Sequence, residues 1–316
     1  MPYTPPSLAD VQRAAERIAP YANRTPVLTS LSINKMVGAN LYFKCENFQK
    51  VGAFKFRGAC NAVFSLSIEE AAKGVATHSS GNHGAALALA GSLRNIPVHV
   101  VMPNNAPNIK KEAVAGYGAE ITFCEPTLDA RESNLNKILD STGTIMIHPY
   151  NDERIIAGQG TAALELLEDY PKLETVMTPI GGGGLMSGTC IAAKGINSKI
   201  TVVGAEPKGA DDAYQSLNKG EIVPQTDPQT IADGLLTSLG VKTFPIIKEH
   251  VQEIITVSEE NIVKAMKLVW DELNIVIEPS SAVVLGALFE DLYTMKGKKV
   301  GMILSGGNAD LENLPW

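Results

Sequence analysis

The stretch GVATHSSGNHGAALALAGSLRNIPVHVVMP, residues 74–103, decides the fold. It opens on a short apolar run, Val75–His78, and passes through a small polar loop. From Asn82 it runs at helix length in alanine and leucine, and it closes on a second apolar run, Val98–Met102. A strand, a helix-length crossover and another strand form a βαβ unit, whose two strands lie parallel in one sheet. The same alternation continues with strands expected at Glu120–Cys124 and Thr144–His148 and helices starting near Pro107 and Thr127. Residues 74–151 therefore read as one small lobe.

Working outward, a second series follows. A helix is expected over Ile155–Asp169, a strand over Thr175–Ile180, a helix through Ala193 and a strand over Ile200–Ala205. Later come a strand at Glu253–Val257, helices at Glu259–Leu273 and Ser280–Leu292, and a strand at Lys299–Leu304. Ser258 suits the cap of the first of these helices, whose Ile262, Ala265, Met266 and Val269 share one face. Before Gly74 the pattern predicts a helix at Leu8–Ile18, a strand at Asn40–Glu46 and a helix at Phe54–Leu66. We assign residues 1–73 and 152–316 to a larger lobe. The whole is an α/β protein of mostly parallel sheets, in which ligands gather beyond the carboxyl ends of the strands.

Bulk composition agrees with a folded enzyme-sized chain. Its 316 residues exceed one ordinary hydrophobic core, and 45% hydrophobic with 19% charged residues is globular usage. With 34 acidic against 27 basic residues the net charge is -7, a field that opposes nucleic-acid polymers. Cys45, Cys60, Cys124 and Cys190 are widely spaced, which suits reduced buried thiols rather than a disulfide framework or a zinc site. The first segment has no apolar core with a cleavage-like site, so a cytoplasmic protein that neither crosses nor anchors in a membrane is expected.

Several loops could carry chemistry. Thr178–Gly188, TPIGGGGLMSG, delivers Gly181, Gly182, Gly183 and Gly184 from a strand to a helix start. Four residues without Cβ let successive N–H groups approach phosphate oxygens, although a ligand-free tight turn has the same composition. The run is neither a P-loop nor a dinucleotide fingerprint, for which Glu206 would be only a weak acidic partner. Thr77–Ala86 offers Ser79, Ser80, Asn82 and His83 at a strand-to-helix passage, where they bind a carboxylate or simply cap the helix. Lys55, between Phe54 and Phe56, is either an amine made reactive by packing or a structural, salt-bridged lysine. Ser305 in LSGGN either meets a heteroaromatic nitrogen or caps a turn. Glu206, Asp211 and Asp212 in AEPKGADDA read as oxygen ligands for a hard cation or as helix-capping acids. His99, His148 and His250 read as structural.

Taken together these pieces resemble a known family. TPVLTS, YFKCENFQKVGAFKFRGACNAV, THSSGNHGAAL, HPYNDERIIAGQGTAALELL, PIGGGGLMSG, AEPKGADDA, IADGL, EPSSA and LSGGN occur in the order found in serine racemases and the eukaryotic serine/threonine and threo-3-hydroxyaspartate dehydratases. The resemblance spans essentially the whole chain. It implies the tryptophan-synthase-β-like fold of the type II pyridoxal-phosphate enzymes, with the cofactor between two lobes and usually a homodimer.

By position in the family motifs, Lys55 would form the Schiff base with pyridoxal 5'-phosphate and act as base on one face. Ser80 would transfer protons on the other face. Gly181 to Gly184 would cradle the phosphate, Phe54 would pack near the ring, Asn82 would meet the phenolic oxygen and Ser305 the pyridine nitrogen. Ser79, Ser80, Asn82 and His83 would frame the carboxylate of a small hydroxy amino acid. Glu206, Asp212 and the carbonyl of Ala210 would hold Mg2+ or Ca2+. The implied activity is serine racemisation with L-serine dehydration, or alternatively dehydration of L-threo-3-hydroxyaspartate, serine or threonine with minor racemisation. A cofactor-bearing protein with little turnover is the reading from a different class.

Three positions depart from the animal pattern. Tyr150 stands where animal serine racemases have asparagine, and on the resemblance it reshapes the substrate pocket. Ala85 and Asn274 replace a glutamine and a lysine of the animal nucleotide-activation site, so activation by ATP through that route is not implied.

Overall fold

The computed structural model describes residues 3–79, 81–106, 108–290 and 295–316. Its strands are β1 (Val27–Leu28), β2 (Asn40–Cys45), β3 (Val75–His78), β4 (Val98–Pro103), β5 (Glu120–Cys124), β6 (Ile145–Met146), β7 (Thr175–Pro179), β8 (Thr201–Pro207), β9 (Val251–Val257) and β10 (Lys299–Leu304). They form a six-stranded sheet in the order β1-β2-β10-β7-β8-β9 and a four-stranded sheet in the order β5-β4-β3-β6. Only the β1–β2 pair is antiparallel among the pairings described. The expected α/β architecture of two mostly parallel sheets with flanking helices is therefore observed.

The 74–103 unit folds as its pattern requires. Val75 pairs with Val98 and His78 with Val101, and the crossover is the helix Asn82–Arg94. All four residues of β3 are buried, as expected of a parallel strand covered on both faces. The helix expected from Thr127 runs over Leu128–Thr142, with Thr127 as its cap. The strand predicted at Thr144–His148 shrinks to Ile145–Met146, because its two ladder contacts end where the chain turns toward the site.

On the other sheet the helix Glu259–Leu273 is capped by Ser258, whose hydroxyl accepts from Asn261 N, and it buries Ile262, Ala265, Met266 and Val269. The helix Pro279–Glu290 follows, and its expected end at Leu292 lies outside the described residues. Helices at Leu31–Val37, Ile68–Lys73 and Thr243–His250 were not foreseen, being one to two turns long and too short for a clear period.

One packing feature places the Lys55 helix. Residues Lys55–Phe64 cross the helix Glu153–Asp169 where glycines face one another: a Cβ on Gly158 would stand 2.6 Å from Gly58 Cα. Close backbone approach there packs the two helices together, and Phe54 N, donating to Ser305 O, sets the start of the Lys55 helix beside the carboxyl end of β10. Both sheets send their functional loops from carboxyl ends: β3 into Ser79, β7 into Gly181, β8 through Glu206, and β10 into Ser305.

Candidate active site

Lys55 is the first residue of its helix and is half-buried. Its Nζ donates to the carbonyl of Pro149 at 3.1 Å and lies 5.2 Å from the centre of the Phe54 ring. Burial pulls the ammonium down to about 8, against the opposing pull of the Glu278 carboxylate. An amine so placed is deprotonated far more readily than one in water, which is the condition for attack on an aldehyde.

The glycine loop is joined to this amine through residues 149–150. A Cβ on Gly182 would stand 2.3 Å from the Tyr150 ring, and one on Gly184 would stand 3.0 Å from Tyr150 Cβ. Gly183 has φ +88, a conformation costly for any side-chain-bearing residue. The loop is braced from behind, since Thr243 Oγ1 donates to Gly182 O at 2.8 Å. The helix Gly184–Ile196 begins within the loop, so its N-terminal N–H groups and dipole favour an anion there.

The LSGGN turn adjoins Lys55 from the β10 side. Phe54 N donates to Ser305 O at 2.9 Å, and Ala53 bridges to Gly306. Ser305 is buried. Asn82 was also readable as a helix cap, but Gly81 takes the cap position with no side-chain cap bond. The Asn82 amide instead donates to Glu278 Oε1 and Oε2 at 3.2 and 3.0 Å.

His83 has a constrained ring. Its Nε2 lies 3.3 Å from the carbonyl of Ile147, so that nitrogen carries the hydrogen and Nδ1 is an acceptor, buried without a partner. Burial, with Lys55 nearby, pushes its pKa well below the usual imidazole range. The ring is neutral, and what residue 83 offers a carboxylate is its backbone N–H in the first turn of the helix. Ser79 Oγ accepts from Gly81 N at 3.2 Å, shaping the same loop. Ser80 lies outside the described residues.

The lysine, glycine loop, Asn82 and Ser305 thus converge although they are far apart in sequence. An aldehyde-reactive amine, a side-chain-free anion cradle at a helix start and a buried hydroxyl together fit a phosphorylated aromatic aldehyde. Sequence reasoning missed Glu278, which is 5% exposed and pushed up to about 7 by burial. Its signal was a lone acid in the apolar run IVIEPSSA. Asn308, whose amide meets Asn82, was noticed only as part of LSGGN.

The acidic residues sit elsewhere, at the end of β8. Glu206 and Asp212 are 1% and 4% exposed, and Ala210 is buried beside them in the turn Lys208–Ala210. Glu206 accepts from Ala213 N and Tyr214 N, whereas Asp212 Oδ2 is buried with no partner. Burial pushes the two carboxyls up to about 9 and about 7. An orphaned buried oxygen beside a second carboxylate suits a hard cation. Among the described residues no cluster of three or more His, Cys, Asp or Glu side chains is placed to hold one.

All four cysteines are free and buried, and among the described residues no helix is long and apolar enough to cross a membrane.

Comparison with known proteins identifies the family. The family profile described as "Pyridoxal-phosphate dependent enzyme" matches residues 18–306. Serine racemase of Dictyostelium discoideum is 53% identical over 312 residues, 98% of this chain and 96% of that protein. The beta-hydroxyaspartate dehydratase of Paracoccus denitrificans is 52% identical over 311 residues, 98% of this chain and 99% of that one. The crystal structure of the Dictyostelium racemase superposes with a TM-score of 0.93, covering 96% of this chain and 99% of that chain. Maize serine racemase, 47% identical, superposes with a TM-score of 0.96, covering 98% of this chain and 95% of that one. This chain belongs to the pyridoxal-phosphate dependent enzymes.

Proposed function

We propose that this enzyme interconverts L- and D-serine and also converts L-serine to pyruvate and ammonia. The observation that carries the reading is Lys55: an amine lowered to about 8 and held beside a glycine anion cradle, in a chain 53% identical to a serine racemase. Pyridoxal phosphate, when bound, supplies the electron sink that makes the Cα proton of an amino acid removable.

The chain's own residues do the rest. Gly181 to Gly184 hold the phosphate, Phe54 packs beside the ring, Asn82 donates to the phenolic oxygen, and Ser305 meets the pyridine nitrogen. The loop of Ser79, Ser80, Asn82 and His83 binds the substrate carboxylate through hydroxyl and backbone donors. Lys55 Nζ removes or returns the Cα proton on one face and Ser80 on the other. Two proton carriers on opposite faces invert Cα; Lys55 alone suffices to start loss of the β-hydroxyl.

A divalent cation, Mg2+ or Ca2+, is held by Glu206, Asp212 and the carbonyl of Ala210, with water completing the shell. The orphaned Asp212 Oδ2 supports this assignment. We further read the enzyme as a cytoplasmic homodimer of two-lobed subunits, residues 1–73 with 152–316 and residues 74–151. Segregation of the strands between two sheets supports that division.

The test is a chiral time course of L-serine, D-serine and pyruvate, using wild type, Lys55→Ala and Ser80→Ala loaded with cofactor and magnesium. Loss of both products in the first variant and selective loss of D-serine in the second is the expected result. Equal retention of both activities in Ser80→Ala would remove Ser80 from the mechanism. A second reading, dehydration of L-threo-3-hydroxyaspartate, is favoured by the relative at 52% identity. A kcat/KM for that substrate well above the value for L-serine would establish it instead.

A further inference from the structure

Asn82 is strung between a backbone carbonyl, which only accepts hydrogen bonds, and the Glu278 carboxyl group, which accepts from it when ionised. At one end stands the backbone carbonyl of Val51, to which Asn308 Nδ2 donates at 2.8 Å. The other hydrogen of that nitrogen goes to Asn82 Oδ1 at 2.9 Å. At the far end lies the Glu278 carboxylate, 3.2 and 3.0 Å from Asn82 Nδ2 through its two oxygens. The orientation of both amides follows from these ends. Asn308 must turn its nitrogen to the carbonyl, so Asn82 must turn its oxygen to Asn308 and its nitrogen to the carboxylate. Were the Asn82 amide reversed, two NH2 groups would face each other and an amide oxygen would face a carboxylate. One hydrogen of Asn82 Nδ2 is shared between the Glu278 oxygens, and the second is left over.

We propose that Glu278 and Asn308 are positioning residues, which hold the Asn82 amide as a hydrogen-bond donor toward the phenolic oxygen of the cofactor. The inference rests on the reading that this oxygen faces Asn82.

Glu278 is buried and Asn308 is exposed, and neighbouring backbone lies against each of them. Glu278 N donates to Gly306 O at 3.0 Å, and a Cβ on Gly306 would stand 2.7 Å from Glu278 Oε1. Asn308 lies equally close to Gly52, whose Cβ would stand 2.4 Å from Asn308 Oδ1, and Gly307 N donates to Gly52 O at 2.9 Å. Gly52 itself has φ +68, so glycine suits the position on two counts. The relay is therefore fastened to the two turns that flank Lys55, the 51–54 turn and the 305–308 turn.

The test measures the dissociation constant of pyridoxal phosphate and the visible absorption maximum of the loaded protein. The proteins are wild type, Asn82→Ala, Asn308→Ala, Asn308→Asp, Glu278→Met, Glu278→Gln and the Asn82→Ala/Asn308→Ala double variant. Loss of one oriented hydrogen bond weakens binding by roughly 5- to 10-fold. That loss, with a shifted absorption maximum, is expected for Asn308→Ala, for the near-isosteric Asn308→Asp, which lacks the donor, and for Glu278→Met. Glu278→Gln keeps an acceptor and should stay within about threefold of wild type. Because both residues act through Asn82, the double variant should bind no more weakly than Asn82→Ala.

Multiplicative losses in the double variant, or variants that lower thermal stability while leaving affinity and absorption maximum unchanged, would overturn the inference. Wild type that fails to capture the cofactor at all would instead overturn the reading beneath it.

Discussion

At the scale of single residues, Lys55 has a measurable signature before any cofactor is added. Its ordinary pKa is 10.5 and burial lowers it to about 8 in the folded chain. Between those two values the unfolded chain binds more protons than the folded one, so this group adds stability as pH rises and withdraws it as pH falls toward 8. The cofactor-free Lys55→Met protein should therefore gain most over wild type near pH 7, with the gap narrowing toward pH 10. Denaturant unfolding of the two proteins across that range checks it; a constant gap would mean the amine is not desolvated. A second residue, Asp212, should reveal the cation. Magnesium or calcium should raise the thermal midpoint of wild type and do so much less for Asp212→Ala, by differential scanning calorimetry. An equal rise in both proteins would place the ion elsewhere.

The element that carries Lys55 is held, besides its glycine contact, by a buried ionic cluster two residues on. Arg57, fully buried, donates from Nε to Glu46 Oε2 at 2.7 Å and from Nη1 and Nη2 to Glu165 at 2.7 and 2.8 Å. Lys44 Nζ adds 2.6 Å to Glu165, and Thr25 Oγ1 donates to Glu46 at 2.6 Å. The cluster ties β2 and the helices Lys55–Phe64 and Glu153–Asp169 together, with two cations balanced by two carboxylates. Removing one partner leaves a charge buried without compensation, which costs about 3–5 kcal/mol. Glu46→Gln should destabilise the cofactor-free protein on that scale and loosen the start of the Lys55 helix. Hydrogen exchange at residues 55–60 should rise; a loss under about 1 kcal/mol would show that water replaces the carboxylate.

Across the whole molecule, Lys110 on the helix Asn108–Gly116 pairs with Asp233 in the turn Asp233–Leu235. The two belong to opposite sides of the fold, one beside the four-stranded sheet and the other beside the six-stranded sheet. The pair is partly exposed, 21% and 51%, so it contributes little to stability. Its placement is more telling: a Cβ on Gly81 would stand 3.5 Å from Lys110 Nζ, which sets the pair against the loop proposed to take the substrate carboxylate. Lys110→Met should leave unfolding free energy within about 1 kcal/mol of wild type. It should raise KM for serine severalfold with kcat largely kept. A fall in kcat at unchanged KM would show that the pair serves the chemistry rather than binding.

The sequence by itself determined the repeating strand and helix segments, and hence the parallel sheets, because hydrophobic periodicity and breaker residues act over a few positions. It also marked the glycine loop, the 79–83 loop and Ser305, since each lies at the end of an apolar run, and Lys55 between two phenylalanines, whose role followed from the family resemblance. It did not disclose Glu278 or Asn308, which meet Asn82 across 196 and 226 positions. Those contacts exist because β10 enters between β2 and β7, bringing the 305–308 turn against the turn before Lys55. The state of His83 was likewise decided in three dimensions, by the Ile147 carbonyl that commits its Nε2 hydrogen. Local pattern sets which segments form; strand order and burial decide which polar groups face one another and what protonation state they hold.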